Sequence, residues 1–179
     1  MLVFVAMISA SCSPSPNGRG ADEGGKLLLS SDGFGIADFG DSIEQVQERL
    51  EDRWGPSEGD EFVCESSRTS RMLKWDGVLL VFSSEGLIGY VFGPRAADPI
   101  IPVSKDVARA VTADGLHVGD KVKTAREVYG SIFVLREASL GPEWYLDEDH
   151  DNSLRGFASG LTDADTIVKI GAGDICAVR

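Results

Sequence analysis

Histidine is scarce: His117 and His150 are the only two. Neither stands near a cysteine at zinc-ligand spacing, which argues against a transition-metal site built on imidazole. Basic residues are also short, 17 Lys and Arg against 29 Asp and Glu, leaving a net charge of −12. Such a field repels phosphate backbones and anionic headgroups, so nucleic acid is not an expected partner. Motifs for covalent or phosphate chemistry are missing too. Ser159, between Gly156 and Gly160, is not midway between glycines at spacing two, as a nucleophile elbow requires. Gly171 and Gly173 lack the third glycine and following helix of a phosphate-binding loop. No cofactor is implied, and the chain reads as non-enzymatic.

The apolar run Leu2 to Ile8 has the length of a signal-peptide h-region and is too short to span a bilayer. Small residues then lead to Cys12, and residues 1–12 resemble a bacterial lipoprotein signal, in which that cysteine is lipidated and becomes the mature N-terminus. Residues 13–25, SPSPNGRGADEGG, have too little apolar surface to offset their own ordering and read as a flexible tether. With Cys12 lipidated, Cys64 and Cys176 remain. In an oxidising compartment a bridge between them closes a long loop, for roughly 4 to 5 kcal/mol in the chain-entropy model. Two buried free thiols are the other reading.

Periodicity organises the rest. In Gly40 to Gly55, Ile43, Val46, Leu50 and Trp54 share one helical face, Ser42 with Gln45 forms a capping box, and Gly55-Pro56 ends the helix. A shorter version returns from Gly119 to Gly130, with Val122, Ala125 and Tyr129 on its apolar face and Asp120 as the expected cap. Strands are expected at 26–31, 71–75, 78–82 and 87–92 around the first helix. After the second they are expected at 132–136, 144–147, 154–158, 166–170 and 175–178. A short helix is expected over 104–111. The fold class predicted is α+β, two tandem units of a helix packed on an antiparallel meander. The first spans residues 26–93 and the second 104–179, with a proline-broken linker at 94–103.

Phe39-Gly40-Asp41-Ser42 through Val46, and Val118-Gly119-Asp120-Lys121 through Ala125, resemble a helix start in the superfamily of the β-lactamase inhibitory protein and the SmpA/OmlA-type lipoproteins. Asp41 and Asp120 stand where that pattern has Met, and Lys121 where it has the capping Thr. The string Gly33 to Gly40 is similar to a lead-in of uncharacterised exported proteins of high-GC Gram-positive bacteria. The resemblance implies two helix-plus-sheet units presenting a concave surface.

Asp147, Asp149 and Asp151 have the spacing of the first half of a calcium loop, but Asn152 replaces its turn glycine and Ala158 its closing glutamate. The loop therefore reads as a solvated hairpin tip. Trp75, Tyr90, Trp144 and Tyr145 are candidate protein-binding residues, and the adjacent Trp144 and Tyr145 must point to opposite faces of a strand. The expectation is an exported protein, lipid-anchored at the membrane or alternatively secreted, that binds a protein or envelope component through its sheet. A secreted enzyme inhibitor and a calcium-dependent or structural envelope module are the alternatives.

Overall fold

The computed structural model describes residues 27–63, 69–94, 109–147 and 153–175. Strand predominates, in two sheets accompanied by two helices. The smaller sheet is built from β1 (Leu27–Ser30), β2 (Gly33–Phe34), β3 (Ala37–Asp38) and β8 (Ala110–Thr112). Its order is β3-β2-β1-β8, with β8 parallel to β1. The larger sheet has eight antiparallel strands. One meander is β4 (Glu58–Val63), β5 (Thr69–Trp75), β6 (Val78–Ser83) and β7 (Gly86–Phe92). The other is β9 (Phe133–Ala138), β10 (Gly141–Leu146), β11 (Arg155–Ala158) and β12 (Ile167–Gly173). Their last strands pair with each other, giving the order β4-β5-β6-β7-β12-β11-β10-β9.

Helix α1 (Ile43–Trp54) starts as its local sequence dictates. Gln45 N–H donates to Ser42 Oγ at 3.3 Å while Gln45 Oε1 accepts from Ser42 N–H at 3.3 Å. Val46 and Leu50 are fully buried, and Ile43 and Trp54 pack against the same core. Trp54 meets Trp75 edge-on at 5.6 Å, and Trp75 Nε1–H donates to the Gly55 carbonyl where the helix ends.

Helix α2 (Val122–Tyr129) begins differently from the expectation. Lys121 is its N-cap and supplies no side-chain bond to the helix amides, and Asp120 instead accepts from His117 N–H at 2.8 Å. The helix's orphan donors are met from a distant loop: Val122 N–H bonds the Asp165 carbonyl at 2.9 Å and Lys123 N–H that of Asp163 at 3.2 Å. Lys121 Nζ clamps that loop through Ala164 O and Thr166 Oγ1, and Arg126 pairs with Asp163 at 3.1 Å. Within the loop, Asp165 accepts from the hydroxyl and amide of Thr162, which with Ser159 hold its carboxyl below the usual range.

The two glycine-aspartate pairs ahead of the helices make matching bonds. Gly40 N–H donates to Leu87 O and Leu87 N–H to Asp41 O, both at 2.9 Å. Gly119 N–H donates to Ile167 O and Ile167 N–H to Asp120 O, both at 2.8 Å. Both glycines have left-handed backbones, φ 91° and 100°, which side-chain-bearing residues rarely adopt. Asp41 also accepts from the amide three residues back, as Asp120 does. The β6–β7 ladder slips between Val81 and Phe82, and the β11–β12 ladder between Phe157 and Ala158.

One hydrophobic cluster gathers side chains from both helices, the small sheet and one face of the large sheet. Tyr90 OH donates to Ser30 O at 2.6 Å, tying the small sheet to β7, and Thr112 and Tyr129 hydroxyls share a 2.6 Å bond between β8 and α2. Three expectations need correction. The stretch 58–63, where no strand is expected, forms β4. Ala110 and Val111, expected at the end of a helix, lie in β8. Ile175 falls after the end of β12 and is not in a strand. Residues 104–108 and 176–178 of the expected elements lie outside the described residues.

Candidate protein-binding face

Alternation along each strand divides the large sheet into a core face and an outer face. Trp75, Tyr90 and Trp144 belong to the core, at 8%, 0% and 0% exposure. Tyr90 contacts Phe34 and Phe92, and burial pushes its phenol far above the usual tyrosine range. Trp144 stacks on Phe133 and crosses above Gly156, where its Nε1–H donates to Lys169 O at 3.1 Å. These three aromatics therefore hold the sheet together instead of meeting a partner. Tyr145 alone of the four candidates points to the outer face, where it too is buried, at 7% exposure, but outside the main cluster.

Around Tyr145 the strand register builds two cross-strand rows. Val134, Tyr145, Arg155, Gly171, Val91 and Leu79 are successive neighbours from β9 to β6, and the row continues through Lys74 on β5 to Glu58 on β4. Beside it run Arg136, Glu143, Phe157 and Lys169. Cations lie over the aromatic rings: the Arg136 guanidinium sits 5.0 Å from the Tyr145 centroid, and Lys169 Nζ 5.8 Å from that of Phe157. The Arg136 side chain is half exposed and meets Glu143 at 3.5 Å. Burial lowers the proton affinity of Lys169 below the usual lysine range. Arg155 donates through Nη2 to Gly173 O, while its Nε is buried without an acceptor. Met72, Val81 and Val91 on this face are buried outside the main cluster.

Asp147 closes β10 with a left-handed backbone, φ 66°, and its N–H donates to Ile132 O at 2.8 Å. Asp149 and Asp151 lie outside the described residues, as do Cys12, Cys64 and Cys176. Among the described residues no three His, Cys, Asp or Glu side chains are grouped to hold a metal, and no helix is long and apolar enough to cross a membrane. The outer cations Arg136, Arg155 and Lys169 escaped the sequence reading because their grouping depends on the β9 to β12 register. The period-two spacing of Arg155 with Phe157 was the one local signal. Comparison with family models, curated proteins and solved structures finds no match for this chain.

Proposed function

We propose that this is an exported, non-catalytic protein of two tandem α+β units, lipid-anchored through Cys12, that binds a protein or envelope component through the outer face of its large sheet. The observation that carries the binding reading is the pair Phe157 and Arg136 on the outer face. Phe157 is a partly exposed aromatic and Arg136 a half-exposed guanidinium, set around Tyr145, which is itself buried at 7% exposure. Aromatic and arginine side chains are the groups that most often anchor protein interfaces.

The tandem construction is supported by the matching bonds of Gly40-Asp41 with Leu87 and of Gly119-Asp120 with Ile167. It is also supported by the register slips at the same place in each meander, and by the central pairs Phe92 with Ile170 and Tyr90 with Ala172. These features also favour the resemblance to the β-lactamase inhibitory protein superfamily as a matter of construction, which by itself assigns no target.

The test is site-directed. A photo-crosslinking residue replacing Phe157 captures an envelope partner, while the same residue replacing the exposed Lys123 of α2 does not. Equal capture at both positions, or none at either, overturns the binding reading. Cys12→Ser shifts the chain from the membrane to the soluble fraction if the anchor is correct.

A further inference from the structure

At the β5 to β7 end of the large sheet, apolar side chains on the outer face are withdrawn from water. Val81 is fully buried and Met72 is 8% exposed, yet neither belongs to the main cluster. The register sets Asp60, Met72, Val81, Gly89 and Gly173 side by side from β4 to β12. Gly89 and Gly173 bring no side chain to this row, so it cannot wall off Val81 on that side. A valine on the open face of a sheet keeps part of its surface in water unless something lies above it.

The chain after β12 supplies the beginning of that cover. Gly173 has a left-handed backbone, φ 73°, and Asp174 N–H donates to Ile88 O at 2.8 Å. The turn sets the Asp174 backbone where a Gly89 side chain would stand. A Cβ on Gly89 would fall 2.7 Å from the Asp174 carbonyl carbon and closer still to its oxygen. Gly89 shares the outer side of β7 with Val91, so the chain has left the line of β12 and stands over β7, one strand from Val81. Arg155 Nη2 donates to Gly173 O and fastens the turn. The next residue is the half-buried Ile175, and the sequence continues Cys176, Ala177, Val178, Arg179.

We infer that residues 175–179 form a strap that runs on from Gly89 across the outer face and docks on Val81 and Met72. The composition suits this seat, since Ile175, Cys176, Ala177 and Val178 are four consecutive apolar residues. The reach suits it as well. From β7 to β4 is three ladder steps, about 14 Å, and five residues of extended chain cover about 16 Å. Arg179 is thereby brought to the end of the row at Asp60, a position of opposite charge. The strap takes the β4 to β7 part of the outer face. Phe157 and Arg136 lie on β11 and β9, so the partner-binding reading and the strap are decided separately.

The experiment is methyl NOE spectroscopy on the full chain, with peroxide oxidation of Met72 followed by mass spectrometry. The Val81 methyls are expected to show cross-peaks to the methyls of Ile175 and Val178. A chain truncated after Asp174 should have Met72 oxidised roughly fivefold faster or more, because oxidation follows exposure of the sulfur. Gly89→Ala, which displaces Asp174, should accelerate it likewise, and Gly59→Ala should not. Absence of the cross-peaks overturns the strap, and so does an unchanged Met72 rate after truncation. In a mixture of labelled and unlabelled chains, intermolecular cross-peaks at Val81 assign the seat to a second copy and overturn it too. Cross-peaks from Val81 to a different segment of the same chain, in place of 175–179, do the same. Should the truncated chain fail to fold, the cross-peaks of the full chain decide.

Discussion

Gly156 lies beneath the Trp144 indole, and its lack of a side chain lets that ring reach across β11 to the Lys169 carbonyl. A Cβ added there would fall 2.9 Å from Trp144 Nε1 and closer still to Lys169 O, which is backbone of the adjacent strand and not free to yield. Overpacking of this kind costs about 1–3 kcal/mol. Gly156→Ala is expected to lower the urea midpoint by that order. Gly59→Ala, whose new methyl would meet Leu73 at an ordinary 3.6 Å, should lose much less. Comparable losses in the two variants would mean that Trp144 does not depend on Gly156. The same crossing explains why one aromatic of the Trp144-Tyr145 pair was bound to face outward while the sequence left open which. Trp144 is drawn inward because its one donor finds Lys169 O there, and Tyr145 follows by alternation.

At the scale of elements, the two helices were legible to different degrees. Both partners of the α1 capping box lie within four residues, so Ser42 and Gln45 announce the start. For α2 the capping carbonyls of Asp163 and Asp165 are some 40 residues away, and no local pattern points to them. The strand β4 was hidden for a related reason. Its sequence Glu58 to Val63 is rich in acids, and it is a strand because the β5 ladder supplies its partners at the sheet edge. Likewise β8 is three residues long and is recruited in parallel by β1.

These differences predict unequal responses at the two helix starts. Ser42→Ala removes the Ser42 Oγ cap of α1 and should cost about 1 kcal/mol, within the usual range of about 0.5–2 kcal/mol, in chemical denaturation. Lys121→Thr restores a capping residue type to α2 yet should not stabilise it. The first two amides already have carbonyl partners, and the bonds of Lys121 Nζ to Ala164 and Thr166 would be lost. A gain in stability for Lys121→Thr would show that the 159–166 loop does not cap the helix.

At the scale of the whole molecule, the pairing of β7 with β12 makes the two meanders one sheet, and the core beneath them is a single cluster. The matching Gly40-Asp41 and Gly119-Asp120 bonds on either side of that seam are compatible with two units that unfold separately, but the burial shared across it is not. Phe92 and Ile170 are direct neighbours across the seam, both fully buried. Opening either meander therefore exposes apolar surface of the other, and the transition is expected to be cooperative. The tryptophans make this measurable, since Trp54 and Trp75 report on the first half and Trp144 on the second. Leu50→Ala, at a fully buried position of α1, should destabilise by about 2–5 kcal/mol. Followed through Trp144 alone, in a background carrying Trp54→Phe and Trp75→Phe, the substitution should shift the urea midpoint as much as it does in a Trp144→Phe background. A Trp144 signal that ignores Leu50→Ala would mean that the seam is only a contact between two independently stable bodies, each with its own core.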